Sequence, residues 1–310
     1  MKKNILINLK RFDVPRAKGG VCQNENPITW IKETIQQIID LGWGCHPQIS
    51  LSVFVPDILL HAAVEQLNQN TPSKITDMVI GTQSCHREDV SVGGNFGAFT
   101  SHPIAITQAT LGSRASIIGH CEERRHLNHV ITQYADAEDY CAYNATRVVS
   151  HIISEKASCA LEQQMKSTIC IGETAEERGQ GDEESQLAKA KEALENQIVA
   201  SLSQLDQKQI ANEVIIAYEP VWAIGPGKTP PESDYIALIS EFIKETVNKH
   251  FNVTTPVVYG GGLKAENAAM LADISSLDGG LIALTNFTQP IGFYPKELDR
   301  ILTIYTGQNS

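Results

Sequence analysis

Residues 213–230 read EVIIAYEPVWAIGPGKTP. The apolar, β-favouring run from Val214 to Tyr218 ends at an acid, Glu219, followed at once by a proline, which is the signature of a buried strand stopping at a carboxylate. Beyond it, the apolar stretch 220–224 opens on Pro220 and is followed by Gly225, Pro226 and Gly227 on its far side. A rigid apolar centre between hinges is the mechanical layout of a moving lid. Under such a lid a carboxylate is shielded from water, and its pKa rises toward that of a useful base. Taken alone, a solvated glutamate before an ordinary loop is the commoner explanation of such a segment.

Outward from this segment the same unit recurs. Short β-rich runs are predicted at 4–9, 51–55, 78–81, 116–119, 167–171, 213–218, 257–259 and 281–284. Between them, residues 30–41, 57–67, 140–161, 184–202, 232–250, 264–271 and 296–304 carry apolar residues at helical intervals of three and four, and 103–111 is a weaker helix. Eight strands alternating with helices predict an α/β fold, a closed (β/α)8 barrel forming one domain over residues 1–310. A doubly wound sheet also satisfies the periodicity, but no GxGxxG follows the first strand. Two connections look enlarged, 11–27 and 82–95, and in a barrel both lie on the carboxyl side where ligands bind.

Composition narrows the function. A hydrophobic fraction of 42% and a charged fraction of 20% describe a self-sufficient globular chain. The net charge of −11 repels nucleic acid and anionic membrane alike, so an anionic ligand needs a concentrated local site. Seven widely spaced cysteines with no CxxC pair are expected to be free thiols. The opening MKKNILINLK has too short an apolar run for a signal peptide, and no run approaches the roughly 20 residues of a membrane span, so a cytoplasmic location is expected.

Three residue types far apart in sequence complete a possible site. Asn8 and Lys10 alternate at the end of the first strand and are expected to point the same way, which brings an ammonium to the barrel mouth. His120 follows Gly119 and precedes Cys121, Glu122, Glu123 and Arg124. If a helical turn starts there, its free N–H groups keep the imidazole neutral, able to donate a proton to a carbonyl oxygen. A surface histidine in a charged turn is the plain alternative. Base, electrophile and cation meet only if the sheet closes, and together they suit proton abstraction beside a carbonyl, which requires no cofactor. The other histidines show no metal-binding spacing, and no metal is expected. Gly225 and Gly227, Gly260, Gly261 and Gly262 after the seventh strand, and Gly279 and Gly280 before the eighth offer backbone donors to an anion, although turn formation alone explains any one of them.

These residues resemble the triosephosphate isomerase family. AYEPVWAIGPGKTP (217–230) is similar to its catalytic glutamate and lid, INLK (7–10) to its NxK, IIGHCEERR (117–125) to its electrophile segment, and CIGETAEER (170–178) and YGG (259–261) to stretches after its fifth and seventh strands. GAFT (97–100) is similar to the segment following its subunit-bridging loop. The resemblance implies a TIM barrel that interconverts dihydroxyacetone phosphate and glyceraldehyde 3-phosphate through an enediolate, with Glu219 as base, His120 as proton donor and Lys10 as electrostatic clamp. It implies substrate contacts at Asn8, Gly225 and Gly260–Gly262, support from Cys121, Glu122, Glu123 and Thr100, a homodimer, and a place in glycolysis and gluconeogenesis. Either Glu122 or Glu123 could pair with Lys10. The chain departs from the family where Gly262 replaces serine and where Ala283 and Leu284 replace a glycine pair. These departures leave open an isomerase for a four-carbon ketose phosphate such as erythrulose phosphate, or a barrel that has lost catalysis and binds an anion or a protein partner.

Overall fold

Alternation along each strand builds two cores, because successive side chains of a strand leave opposite faces. In β1 (Lys3–Asn8) Ile5 and Ile7 pack with the helices, whereas Leu6 packs with residues from other strands alone. The same split separates Leu51, Val53 and Val55 from Phe54 in β2 (Ile49–Val55), and Val214, Ile216 and Tyr218 from Ile215 and Ala217 in β6 (Val214–Tyr218). With β3 (Met78–Thr82), β4 (Ala115–Ile118), β5 (Lys166–Ile171), β7 (Val257–Tyr259) and β8 (Gly279–Ile282), these strands form one closed parallel barrel in sequence order, β8 returning to β1. The computed structural model describes residues 2–134, 142–225 and 227–308. The expected (β/α)8 TIM barrel is therefore present.

Eleven helices lie among the described residues: α1 (Pro27–Asp40), α2 (Leu60–Asn68), α3 (Ala105–Thr110), α4 (Cys121–Tyr134), α5 (Ala142–Glu162), α6 (Ala175–Arg178), α7 (Glu183–Ser201), α8 (Gln207–Glu213), α9 (Ser233–Phe251), α10 (Ala268–Asp273) and α11 (Pro295–Tyr305). Their apolar stripes cover the barrel; in α1, Trp30, Ile31, Ile35, Ile38 and Ile39 are all buried. Burying each such side chain contributes about 2 kcal/mol before the cost of ordering the chain. No helix among the described residues is long and apolar enough to cross a membrane.

Several sequence expectations need correction. The eighth strand begins at Gly279, two residues earlier than the apolar run suggests. A Cβ on Gly279 would stand 1.8 Å from the Asn4 carbonyl oxygen, so glycine is required by the close approach of β1 and not by a ligand. Gly279 and Gly280 thus lie inside the strand, at the amino end of the barrel, away from the mouth. The helix expected at 264–271 starts only at Ala268, because the Asn267 side chain accepts from Lys264 N and donates to Gly262 O, holding the preceding turn open. Beyond His120 there is a full helix, α4, where the sequence suggested at most a turn: only Leu127, Val130 and Ile131 mark its apolar face in a charged run. The short α6 and α8 were also missed, although each opens on a capping box, Thr174 with Glu177 and Asp206 with Gln209. Tyr140, Cys141 and Pro226 lie outside the described residues; the other six cysteines are free.

Candidate active site

Glu219 keeps the inward phase of Ile215 and Ala217, and this alternation delivers its carboxylate to the mouth of the barrel. Its backbone is fixed by Glu219 N donating to Ile171 O at 2.8 Å. Glycines on both neighbouring strands make room for it: a Cβ on Gly172 would meet Glu219 O at 1.7 Å, and one on Gly260 would meet Glu219 Cγ at 2.7 Å. Gly260 is thus explained by the glutamate itself. The residue is only 2% exposed, and burial pushes its carboxyl pKa up against the opposing pull of His120, the Cys121 N–H, Lys10 and Arg124.

His120 reaches the same point from β4. Gly119, with φ of +75°, turns the chain out of the strand, and the His120 carbonyl accepts the first helical bond of α4 from Arg124 N at 3.0 Å. The N–H of Glu122 donates to His120 Nδ1 at 3.3 Å. A nitrogen that accepts must carry its lone pair, so the proton of the neutral ring sits on Nε2, and Nε2 lies 3.1 Å from Glu219 Oε1. Glu219 Oε2 accepts from Cys121 N at 2.8 Å. Cys121 itself is held inert, its thiol pushed up to about 12 by burial and by the charge of Glu219. Among the described residues, His120, Cys121 and Glu219 form the one group whose donor atoms, all within 4.8 Å, could hold a metal ion. Two of these atoms already serve hydrogen bonds within the trio and to α4.

Lys10 arrives by a different route from the one its spacing suggested. β1 ends at Asn8, and Lys10 stands beyond it with φ of +42°, so strand alternation does not aim its side chain. The turn is set by Asn8 Oδ1, which accepts from Lys10 N at 3.0 Å, and by Gln83 Nε2, which donates to Lys10 O at 2.9 Å. Lys10 Nζ pairs with Glu122 Oε1 at 2.9 Å. Burial raises the Glu122 carboxyl, but the Lys10 ammonium outweighs it and brings the net shift below the usual range.

Glu123 has a separate task. It accepts from Gly119 N and from Ser84 Oγ, both at 2.7 Å, and pairs with Lys156 Nζ of α5 at 2.5 Å. Arg124 Nε donates to the Gly119 carbonyl from the other side at 3.0 Å and to Cys170 O at 2.9 Å, and its other nitrogens donate to Ser150 Oγ and Ser201 Oγ. The bend before His120 is therefore held at both its N–H and its C=O.

The segment after Glu219, expected to act as a lid, is anchored by residues to which the sequence patterns assign no role. Glu173 Oε1 accepts from Trp222 Nε1 at 2.6 Å, Tyr218 Oη at 3.0 Å and Tyr235 Oη at 3.1 Å, and the Arg178 guanidinium stacks 4.0 Å from the Trp222 ring centre. A signal existed: Glu173 and Arg178 both belong to CIGETAEER, and Glu173 follows a strand end as Glu219 does. Gly225 and Gly227 have φ of +123° and +75° with open space on their side-chain faces. Gly261 is needed because a Cβ there would strike the Tyr259 hydroxyl, while Gly262, with φ of +99°, faces open space apart from Lys264. Thr100 is exposed on the β3–α3 connection. A cleft of about 960 Å³ lined by Arg87, Arg147, His151, Glu155 and Lys189 opens on the outer surface beside α5 and α7, and none of the three candidate catalytic residues lines it.

A sequence model described as triosephosphate isomerase matches residues 24–289. The chain belongs to the triosephosphate isomerase family. It is 31% identical over 267 residues to the triosephosphate isomerase of Chlamydia trachomatis serovar D, covering 85% of this chain and 82% of that one. With the enzyme of Rhodopirellula baltica it shares 32% over 214 residues, covering 68% and 73%. The crystal structure of triosephosphate isomerase from Bartonella henselae superposes with a TM-score of 0.66 at 22% identity, covering 99% of this chain and all of that one, which is a likeness of fold. Asn8 and Lys10 precede the stretch that the family model matches, so the place of Lys10 beside Glu122, and of Asn8 beneath its turn, rests on the geometry above.

Proposed function

We propose that this chain is an aldose–ketose isomerase for small sugar phosphates, acting on dihydroxyacetone phosphate and glyceraldehyde 3-phosphate. What carries the reading is the contact between Glu219 and His120, a buried carboxylate facing the protonated nitrogen of a neutral imidazole at 3.1 Å. Glu219 takes the proton from the carbon beside the carbonyl; His120 Nε2–H protonates the carbonyl oxygen; Lys10 stabilises the negative charge that develops on the enediolate. Glu219 then returns its proton to the neighbouring carbon while His120 takes back a proton from the hydroxyl of the first carbon, which becomes the new carbonyl, so both side chains regain their starting states with no net oxidation. Burial matters here because a carboxyl with a raised pKa is a stronger base once ionised. The Cys121 N–H fixes Oε2, while Oε1, which faces His120 Nε2 at 3.1 Å, turns to the substrate carbon once the substrate carbonyl takes its place before Nε2.

Asn8, Gly225 and Gly260–Gly262 border the substrate in this reading, and the lid anchored through Trp222 closes over it. Two copies associate through the β3–α3 connection. Purified protein assayed with the triose phosphate pair and with a four-carbon ketose phosphate, with Glu219→Gln as control, tests the proposal. Interconversion of the trioses that disappears in the variant supports it; no turnover of any small ketose phosphate rejects it.

A further inference from the structure

The proposed substrate carries a phosphate dianion, yet the connection after β8 spends three of its N–H groups on itself. Ala283 and Leu284 stand half-buried at its start. The N–H groups of Thr285 and Asn286 both donate to Gly292 O, at 3.2 and 3.1 Å, and that of Thr288 donates to Asn286 Oδ1 at 3.2 Å. These N–H groups serve the loop itself.

Opposite lies the connection after β7. A Cβ built on Gly262 would have Lys264 Cε as its nearest neighbour, at 3.7 Å, so the lysine stem runs beside the open face of Gly262. Its ammonium rests 4.1 Å from the ring centre of Phe287, a residue of the β8–α11 connection. The paired lysines among the described residues are Lys2, Lys10, Lys32, Lys156, Lys244 and Lys249; Lys264 is not one of them. Its backbone, by contrast, is held by the Asn267 side chain, which ties Lys264 N to Gly262 O. Arg16, which reaches the β8–α11 connection from the β1–α1 side, is tied down by donating to Tyr294 Oη at 2.5 Å and to Ile291 O.

We propose that Lys264, resting on Phe287 between the connections after β7 and β8, is a phosphate-binding residue of this chain. An aromatic face attracts an ammonium without neutralising it, and a phosphate oxygen attracts it more strongly, so the charge is stored beside the site and moves onto the ligand. It supplies attraction that the N–H groups of Thr285, Asn286 and Thr288, engaged within the β8–α11 connection, do not. This inference rests on the isomerase reading for its choice of ligand.

Titration calorimetry with inorganic phosphate, on wild type, Lys264→Met and Lys264→Arg, tests it together with steady-state kinetics. In Lys264→Met, phosphate affinity is expected to fall about tenfold, with KM for glyceraldehyde 3-phosphate rising more than kcat falls, and Lys264→Arg is expected to recover most of the loss. In unmodified protein, phosphate is expected to shield Lys264 from an amine-acylating reagent, read by mass spectrometry. Equal phosphate affinity in wild type and Lys264→Met, or acylation indifferent to phosphate, overturns the proposal. Phosphate binding needs no turnover, so the two readings fail separately. Binding that depends on Lys264 without isomerisation would refute only the activity, and isomerisation with binding indifferent to Lys264 would refute only this inference.

Discussion

The Nε2 atom of His120 lies 3.1 Å from Oε1 of Glu219, while Oε2 of the same carboxylate accepts from the N–H that follows His120 in the chain. The residues that open α4 thus position the proposed acid and also orient the proposed base. Replacing Glu219 by Gln keeps an oxygen for the Cys121 N–H but removes the proton acceptor. Turnover is expected to fall by at least about a hundredfold in an initial-rate assay; a variant within a few-fold of wild type would move the base elsewhere.

The same substitution has an opposite effect on stability, with a definite pH dependence. Burial raises the folded-state pKa of Glu219 above its unfolded value of about 4.3. Such a group contributes stability that is fully present below the unfolded pKa and is lost as pH rises through the folded one. The Tm of wild type minus that of Glu219→Gln should therefore decrease between pH 4 and pH 7. A difference that stays flat, or increases, would show that the carboxylate is better solvated than its 2% exposure implies.

Adjacent glutamates should respond differently to one substitution. Glu122 pairs with Lys10 in a setting where its side chain is 53% exposed, so Glu122→Gln should cost at most about 1 kcal/mol of stability. Glu123 is enclosed with Lys156, Ser84 and Gly119 N, and Glu123→Gln leaves a buried ammonium without its counter-charge, a loss of about 3 kcal/mol. Urea unfolding of both variants at pH 7 separates them. The Lys156 ammonium also holds Glu123 below the usual carboxylate range despite its burial, so this stability is present above the unfolded pKa and lost as pH falls through the folded one. Equal costs for the two variants would contradict the assignment.

This pair shows where legibility in the sequence ends. The residue types of IIGHCEERR mark a functional segment, but which acid meets Lys10 depends on the direction in which α4 leaves Gly119, and that direction is held by Lys156 and Ser84 from two other parts of the chain. Local pattern was enough for the strands: alternation placed Glu219 inside because Ile215 and Ala217 are inside. It misled at β8, where glycines that read as a turn are the strand itself, since a contact with Asn4 is invisible from either residue's neighbours. It was incomplete at Lys10, whose left-handed backbone depends on Asn8 and Gln83.

Loosening the lid anchor should be visible away from the chemistry. Trp222→Phe deletes the 2.6 Å bond to Glu173 and leaves a buried carboxylate, whose Oε2 already lacks a partner, with the hydroxyls of Tyr218 and Tyr235 as two donors in place of three. A loss of about 1–2 kcal/mol is expected, with faster amide hydrogen exchange concentrated at residues 221–228. Exchange that accelerates uniformly over the barrel would mean that the tryptophan supports the core and not the lid.

The β3–α3 connection carries the observation on which the dimer reading depends. Val92 and Phe96 lie on it fully or almost fully exposed, at 108% and 86%, within a stretch whose other residues are largely polar or glycine. Large apolar side chains at the tip of a projecting loop gain nothing from the fold that carries them, but a second copy can bury both. Sedimentation of the wild-type chain at micromolar concentration should give twice its 33.9 kDa mass, and Phe96→Asp should shift it toward monomer because association would then bury a charge. Thr100 follows in the same connection, so the proposed contact also places a polar residue beside the neighbouring copy, and the variant's turnover should fall with its association. A wild-type monomer at that concentration would refute the dimer, and a monomeric variant with full turnover would confine the interface to stability.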